Sequence, residues 1–341
     1  LLFVVGVTVV DQANAAPKPN ILFLFADDQR PDTIAALGNP HIKTPHLDHL
    51  VQRGFVFRNA YCMGSTRGAV CNPSRHMMLS GMSLYRYNAK KREGTFGDVM
   101  RKAGFVTYHQ SKRGNTAREY HKAFEHTSYL DDGAVRSGGH HGQTAADNAI
   151  GFLTRTWKRE APFFMYVGFA GPHDPRRAAK KWLNLYQRDK IPLPENYRPF
   201  HPVDNDEMFV RDERLAPWPR TPAVVRRHLH DYYGCISSID HHVGRVIATL
   251  KTLGVLENTI IVYAADHGLA IGSHGLFASE RGVAALPDWV VAEYEKKGWV
   301  VSRPLGTGVY CQLYAATRTA NQDMAYMQGF ASLLDGIVKP V

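Results

Sequence analysis

The chain has 341 residues, 44% hydrophobic and 21% charged, a composition that excludes a fibrous, disordered or membrane-embedded class and suits one large α/β domain or two smaller ones. Its net charge is +10, which favours anionic partners such as sulfated or carboxylated glycans, although a basic surface is also compatible with no partner. No zinc-finger spacing or aromatic-interleaved basic module points to nucleic acid.

Leu1–Val10 is apolar and is followed by Asp11-Gln12-Ala13-Asn14-Ala15-Ala16. Ten apolar residues are too few to span a bilayer, and the Ala-x-Ala step reads as the tail of a signal peptide over residues 1–16, which implies export to a periplasm or beyond. No other segment is long and apolar enough to cross a membrane.

Asn20–Ala26 is an unbroken apolar run, expected of a strand buried on both faces of a parallel sheet. It ends in Asp27-Asp28-Gln29. Adjacent carboxylates either sit in a solvated turn or hold a cation. Thr44-Pro45 opens an amphipathic helix closed by Gly54, and Phe55–Tyr61 alternates like a strand. A flexible segment, Gly64–Gly68, then leads to Cys71-Asn72-Pro73-Ser74-Arg75, at the start of a short helix that stops at Gly81. Such a helix start offers unpaired N–H groups to an oxyanion, and Arg75 adds a fixed cationic fork. A buried structural cysteine beside a loop arginine is the plainer alternative. Four cysteines, Cys62, Cys71, Cys235 and Cys311, show no pairing pattern.

Thr95–Ala103 reads as a helix and Phe105–Tyr108 as a strand that delivers Ser111-Lys112-Arg113-Gly114-Asn115. Arg118–Gly142 is polar and glycine-rich, a long surface loop. Thr144–Lys158 is a helix, and Phe163–Val167 a buried strand opening into Gly171-Pro172-His173-Asp174. Arg176–Arg214 is basic and proline-rich, an insertion where substrate-selecting loops belong. Arg176, Arg177, Lys180 and Lys181 either meet an anionic substrate or form a wet face. From Thr221, apolar residues at helical spacing mark a long core helix, and Thr259–Ala265 is a strand ending in Asp266-His267-Gly268. The alternation predicts an α/β fold with a mostly parallel central sheet and helices on both faces. Asp27, Asp28, Asp266 and His267 thereby end two buried strands, with Cys71, Lys112 and His173 at comparable places. Carboxylates suit hard divalent cations, and the histidine leaves magnesium, manganese or zinc open as well as calcium.

Together these motifs resemble the type I sulfatases of the alkaline phosphatase superfamily, over Pro19 to Phe277. The resemblance rests on Cys71-x-Pro73-Ser74-Arg75 with Leu79 and Gly81, on Asp27-Asp28-Gln29 and Thr44-Pro45-x-Leu47-Asp48, and on Asp266-His267-Gly268 with His274-Gly275-Leu276. It implies an alkaline phosphatase-like catalytic domain over residues 17–277. It implies that Cys71 is oxidised by a formylglycine-generating enzyme to Cα-formylglycine, and that Asp27, Asp28, Asp266, His267 and the modified Cys71 hold one calcium ion. The aldehyde hydrate attacks sulfur, and its second hydroxyl later expels sulfate. Arg75 and Lys112 neutralise sulfate oxygens, His173 protonates the leaving alcohol or binds sulfate, and His274 joins Lys112 and His173 as a substrate contact. The implied substrate is a sulfate ester, with a sulfated carbohydrate favoured. The alternatives are a formylglycine-dependent phosphodiesterase or phosphonate hydrolase and a catalytically impaired glycan-binding homologue.

Two departures stand out. The family pattern Gly-Lys-Trp-His is Ser111-Lys112-Arg113-Gly114 here, so that either Asn115, His109 or a loop histidine assists sulfate release or turnover is slow. Residues 278–341 do not match, apart from a helix-like Asp288–Lys297, so a truncated or divergent C-terminal subdomain and an exposed sheet edge are expected.

Overall fold

A computed structural model describes residues 18–58, 60, 70–83, 86, 94–112, 118–130, 142–201 and 208–278, and the backbone of 313–316. The signal segment, Gly64–Gly68, Cys62, Cys311, Arg113, Gly114, Asn115 and the helix expected at Asp288–Lys297 lie outside the described residues.

Seven strands form one sheet: β1 (Asn20–Asp27), β2 (Phe55–Val56), β3 (Val106–Lys112), β4 (His126–Leu130), β5 (Phe163–Pro172), β6 (Thr259–Ala265) and β7 (Leu313–Ala316), in the order β2-β7-β6-β1-β5-β3-β4. β1 lies at the centre, parallel to β5 on one side (Ile21 opposite Phe164) and to β6 on the other (Ile21 opposite Ile260). Its apolar run is buried on both faces, as the uninterrupted hydrophobicity requires.

The longer helices among the described residues are α1 (Pro45–Arg53), α2 (Cys71–Ser80), α3 (Phe96–Lys102), α4 (Gln143–Gly151) and the 31-residue α5 (Pro222–Thr252). Leu22, Leu24, Met165 and Val167 pack one face of the sheet against Leu47 of α1, Ala145 and Ala149 of α4, and Ile239 and Val243 of α5. Phe23, Phe25, Phe164 and Tyr166 pack the other against Leu79 of α2, Tyr120 and Phe124. Helices therefore cover both faces, as expected. No helix among the described residues is long and apolar enough to cross a membrane.

Three expectations are corrected. The supposed loop Arg118–Gly142 contains a helical turn, Arg118–His121, and β4, which pairs in parallel with β3 from Tyr108–His126 to Lys112–Leu130. Among its described residues, Phe55–Tyr61 forms a two-residue strand, Phe55–Val56. The edge beside β6 is covered: β7, from the unmatched C-terminal region, pairs antiparallel with β6 and then with β2. Tertiary pairing decides all three. β4 is a polar edge strand whose pattern does not announce itself, and β7 joins partners about 50 and 260 residues away by backbone hydrogen bonds that side-chain patterning does not report.

α1 and α5 are joined by a buried carboxylate. Asp240 of α5, 1% exposed, accepts the first-turn amides of α1 from Leu47 at 2.7 Å and His46 at 3.3 Å. Burial pushes its pKa up to about 7 against the pull of those two amides. The folded protein thus keeps a proton there that the unfolded chain releases near pH 4, so this site lowers stability as pH rises from about 4 to 7. Asp240→Asn keeps an acceptor for α1 and removes the ionisation. Thermal melts should show the variant more stable than the parent by about 1–3 kcal/mol at pH 8 and matched to it at pH 4. A parent that is the more stable at pH 8 would refute the assignment.

Candidate active site

The parallel strands place their carboxyl ends on one edge, where open α/β sheets build sites. β1 ends at Asp27 and β3 at Lys112; β5 runs to Pro172 just before His173, and β6 to Ala265 just before Asp266 and His267. The turns are fixed by backbone bonds: His173 N–H donates to Asp27 O at 3.1 Å, and Asp28 N–H to Asp266 Oδ1 at 2.8 Å. Asp28 has φ 69°, the left-handed region in which an acidic side chain is tolerated. Gly268 allows the β1 and β6 turns to touch, since a Cβ there would lie 2.9 Å from Arg30 Cγ and 3.2 Å from its Cα.

Cys71 is the first residue of α2, which ends at left-handed Gly81. Its Sγ lies 3.2 Å from Asp28 Oδ1 and 3.1 Å from His267 Nε2. Asp28, Cys71, Asp266 and His267 present their ligand atoms within 4.8 Å of one another, all buried. His267 Nδ1 donates to Gly268 O at 2.9 Å, which turns Nε2 into the shared space. Burial resists charge on His267, but Asp266 and Asp28 carry its pKa up.

Arg75, one turn along α2, is 1% exposed. Its Nη2 lies 2.9 Å from Asp27 Oδ1 and its Nη1 2.9 Å from Asp266 Oδ2, while its plane lies over the Phe25 ring, 5.4 Å from the centroid. Lys112 pairs with the other oxygen of Asp27. Although burial opposes ionisation, these two cations hold Asp27 well below the usual carboxylate range. Burial instead raises Asp266, in spite of His267 and Arg75. Burial also drives the Cys71 thiol far up, reinforced by Asp28, Asp27 and Asp266. His173 Nε2 lies 3.7 Å from Asp28 Oδ2, and its Nδ1 donates to Asp174 O at 2.6 Å.

Eight of the nine residues singled out from the sequence therefore meet at one edge: Asp27, Asp28, Cys71, Arg75, Lys112, His173, Asp266 and His267. Within them Asp27 stands beside the four-residue group, facing the two cations. His274 is tied elsewhere: its Nε2 accepts from Asn196 Nδ2 at 2.8 Å and its carbonyl from His201 Nδ1 at 2.8 Å.

The sequence profile of the sulfatases matches residues 19–296. The chain belongs to the sulfatase family. It is 27% identical to iduronate 2-sulfatase of Homo sapiens over 78% of this chain and 58% of that protein. It is 24% identical to N-acetylglucosamine-6-O-sulfatase of Bacteroides thetaiotaomicron, covering 78% of this chain and 61% of the relative. This sulfatase chain thus spans less than two thirds of the length of either. A solved complex of a protein with its substrate D-glucosamine-2-N,6-O-disulfate aligns with TM-score 0.64 at 20% identity, over 88% of this chain and 71% of that one. The phosphonate monoester hydrolase of Agrobacterium radiobacter shares the fold at TM-score 0.62 and 18% identity, over 88% and 68%.

The long helix α5 was expected to be core alone, yet it reaches the site. Tyr232, fully buried, donates its hydroxyl proton to Asp28 O and accepts Arg30 N–H at 2.9 Å. A tyrosine in the apolar stripe of a helix signals a buried hydroxyl in need of a partner, but not which one. Tyr232→Phe leaves the Arg30 amide and the Asp28 carbonyl unpaired. Urea unfolding should register a loss of about 1–3 kcal/mol; an unchanged midpoint would show that the bonds contribute nothing.

Proposed function

We propose that this protein hydrolyses sulfate esters, with a sulfated carbohydrate as the substrate class, at the edge formed by Cys71, Arg75, Lys112 and His173. The observation that carries the reading is the convergence of Asp28, Cys71, Asp266 and His267 within 4.8 Å, flanked by buried Arg75 and Lys112. Sulfatase membership and carbohydrate sulfatases among the relatives support it.

The donor set fits a calcium ion. Three buried carboxylates, Asp27, Asp28 and Asp266, gather at this edge, and Asp28 and Asp266 share their space with His267, an oxygen-rich donor set that suits a hard divalent cation. Asp28, Asp266, His267 and an oxygen ligand made from Cys71 would hold the ion; Asp27 enters the set only by giving up part of its pairing with Arg75 and Lys112. Bound there, calcium supplies positive charge that draws a sulfate group toward residue 71.

Oxidation of Cys71 to Cα-formylglycine by a maturation enzyme fits the same surroundings. A thiol pressed by burial and three carboxylates stays protonated and makes a poor nucleophile. The formylglycine hydrate supplies a hydroxyl nucleophile where the thiol stood. Arg75 and Lys112 orient and neutralise sulfate oxygens. His173 is held by Asp174 so that Nε2 lies beside Asp28, positioned, when protonated, to give a proton to the departing sugar oxygen. Export in a signal-bearing precursor completes the reading.

The protein should be made in a host that carries the maturation enzyme. The Cys71 peptide should then appear about 18 Da lighter than the unmodified cysteine peptide by mass spectrometry. The same preparation should hydrolyse an aryl sulfate, and Cys71→Ala should abolish that activity. Calcium at about a hundred times its dissociation constant should add about 2.7 kcal/mol of stability, an effect lost in Asp28→Asn. An unmodified, inactive protein from that host, or faster turnover of an aryl phosphodiester than of the aryl sulfate, overturns the reading.

A further inference from the structure

Residues Asn196–His201 of the basic insertion are strapped to the loop that follows Asp266 and His267. Arg198 N–H donates to Gly272 O at 3.3 Å and His274 N–H to Asn196 O at 2.9 Å. Gly275, at φ +78°, admits the strap: a Cβ there would lie 2.4 Å from the Phe200 carbonyl carbon. The strap sets Phe200 next to His274, in the loop that leaves the candidate site.

Phe200 is 55% exposed, and its ring stacks on Trp218, with centroids 6.0 Å apart and planes 6° from parallel. The Arg220 guanidinium lies against the same indole, 3.7 Å from its centroid, and 4.7 Å from the Phe277 ring. Arg220 is fully buried and paired with Glu213 at 2.6 Å, whose Oε1 accepts the Phe277 and Ala278 amides. Phe200 is thus mounted on a layered stack pinned by a buried ion pair. Single exposed phenylalanines are common and need no explanation, but they do not need such a foundation either. The strap also carries Arg198, a permanent cation two residues before Phe200, whose backbone N–H holds the Gly272 carbonyl.

We infer that Phe200, carried by Trp218, is a stacking subsite for a second sugar ring of a sulfated glycan, next to the ring whose ester is cleaved. A pyranose offers an apolar face of C–H groups and anionic substituents around its rim, which matches a flat aromatic ring with the permanent cation Arg198 in the same strap. The inference rests on the proposed function for the position of the first ring, and it makes the protein selective for oligosaccharides over monosaccharides.

The test uses the full chain as its Cys71→Ala variant, so that binding is read without turnover, and titrates it calorimetrically with heparin, carrageenan and ulvan tetrasaccharides and with the sulfated monosaccharide of each. At least one tetrasaccharide should bind more tightly than its monosaccharide. Phe200→Ala should weaken that tetrasaccharide about tenfold and leave the monosaccharide unchanged, while Phe200→Tyr should retain the affinity. If every tetrasaccharide binds no better than its monosaccharide, or Phe200→Ala weakens both alike, the subsite does not exist. A shift to monomer in Phe200→Ala, from a dimeric parent, would assign the ring to a second copy of the chain and likewise overturn it. Failure of the proposed function is read separately, as absence of sulfate release from any of these substrates by the matured parent protein.

Discussion

Arg75 is buried between two fully buried carboxylates, Asp27 at the end of one central strand and Asp266 just past the end of its neighbour. Removing either partner leaves a charge in a medium that cannot solvate it, a loss of about 3–5 kcal/mol. The ion pairs therefore couple α2 to the carboxyl edge of the sheet, and with α2 comes Cys71, whose carbonyl also accepts from Arg75 Nη1 at 3.1 Å. The position of Cys71 is set by a cation that also belongs to the site, so folding and site geometry depend on the same contacts. Lys112 extends the arrangement from β3 to the second oxygen of Asp27.

The side of the site away from α2 is set by α5. Tyr232 holds the Asp28 carbonyl and the Arg30 amide, keeping the left-handed turn after β1 in place. Two turns further along, Asp240 caps α1. The helix behaves as a beam: its apolar stripe packs on the sheet while two polar groups within the stripe reach across it. Each is fully buried and satisfied by backbone groups, which is the condition under which a buried polar group specifies geometry instead of only costing stability.

The parts legible in the sequence were those in which one strong local signal coincides with the global arrangement. β1, β5 and β6 are buried on both faces and read as uninterrupted apolar runs; α5 reads from eight apolar positions at helical spacing, all of them buried. Because parallel strands must present their ends together, the acids after β1 and β6 were readable as neighbours before any coordinate. What escaped depends on tertiary partners. β4, His126-Thr-Ser-Tyr-Leu, is mostly half-buried at an edge and carries polar residues, so its periodicity is weak. β7 pairs by backbone, and Tyr232 shows only that it has a hydroxyl. His274 was recognisable as a motif residue, but a motif does not say that its imidazole is engaged by Asn196.

Charge balance orders the chemistry of this edge. Three carboxylates outnumber Arg75 and Lys112, and both cations are already paired, Arg75 with Asp27 and Asp266, Lys112 with Asp27. An approaching sulfate ester would meet three carboxylates and find both cations already paired to them, and in a buried site repulsion is weakly screened. In the proposed function, a divalent cation held by Asp28, Asp266 and His267 would compete for the carboxylates and leave Arg75 and Lys112 freer for an incoming anion. On the proposed reading, cation binding must therefore come before substrate. Besides polarising the ester, such an ion would free the two side chains that receive it.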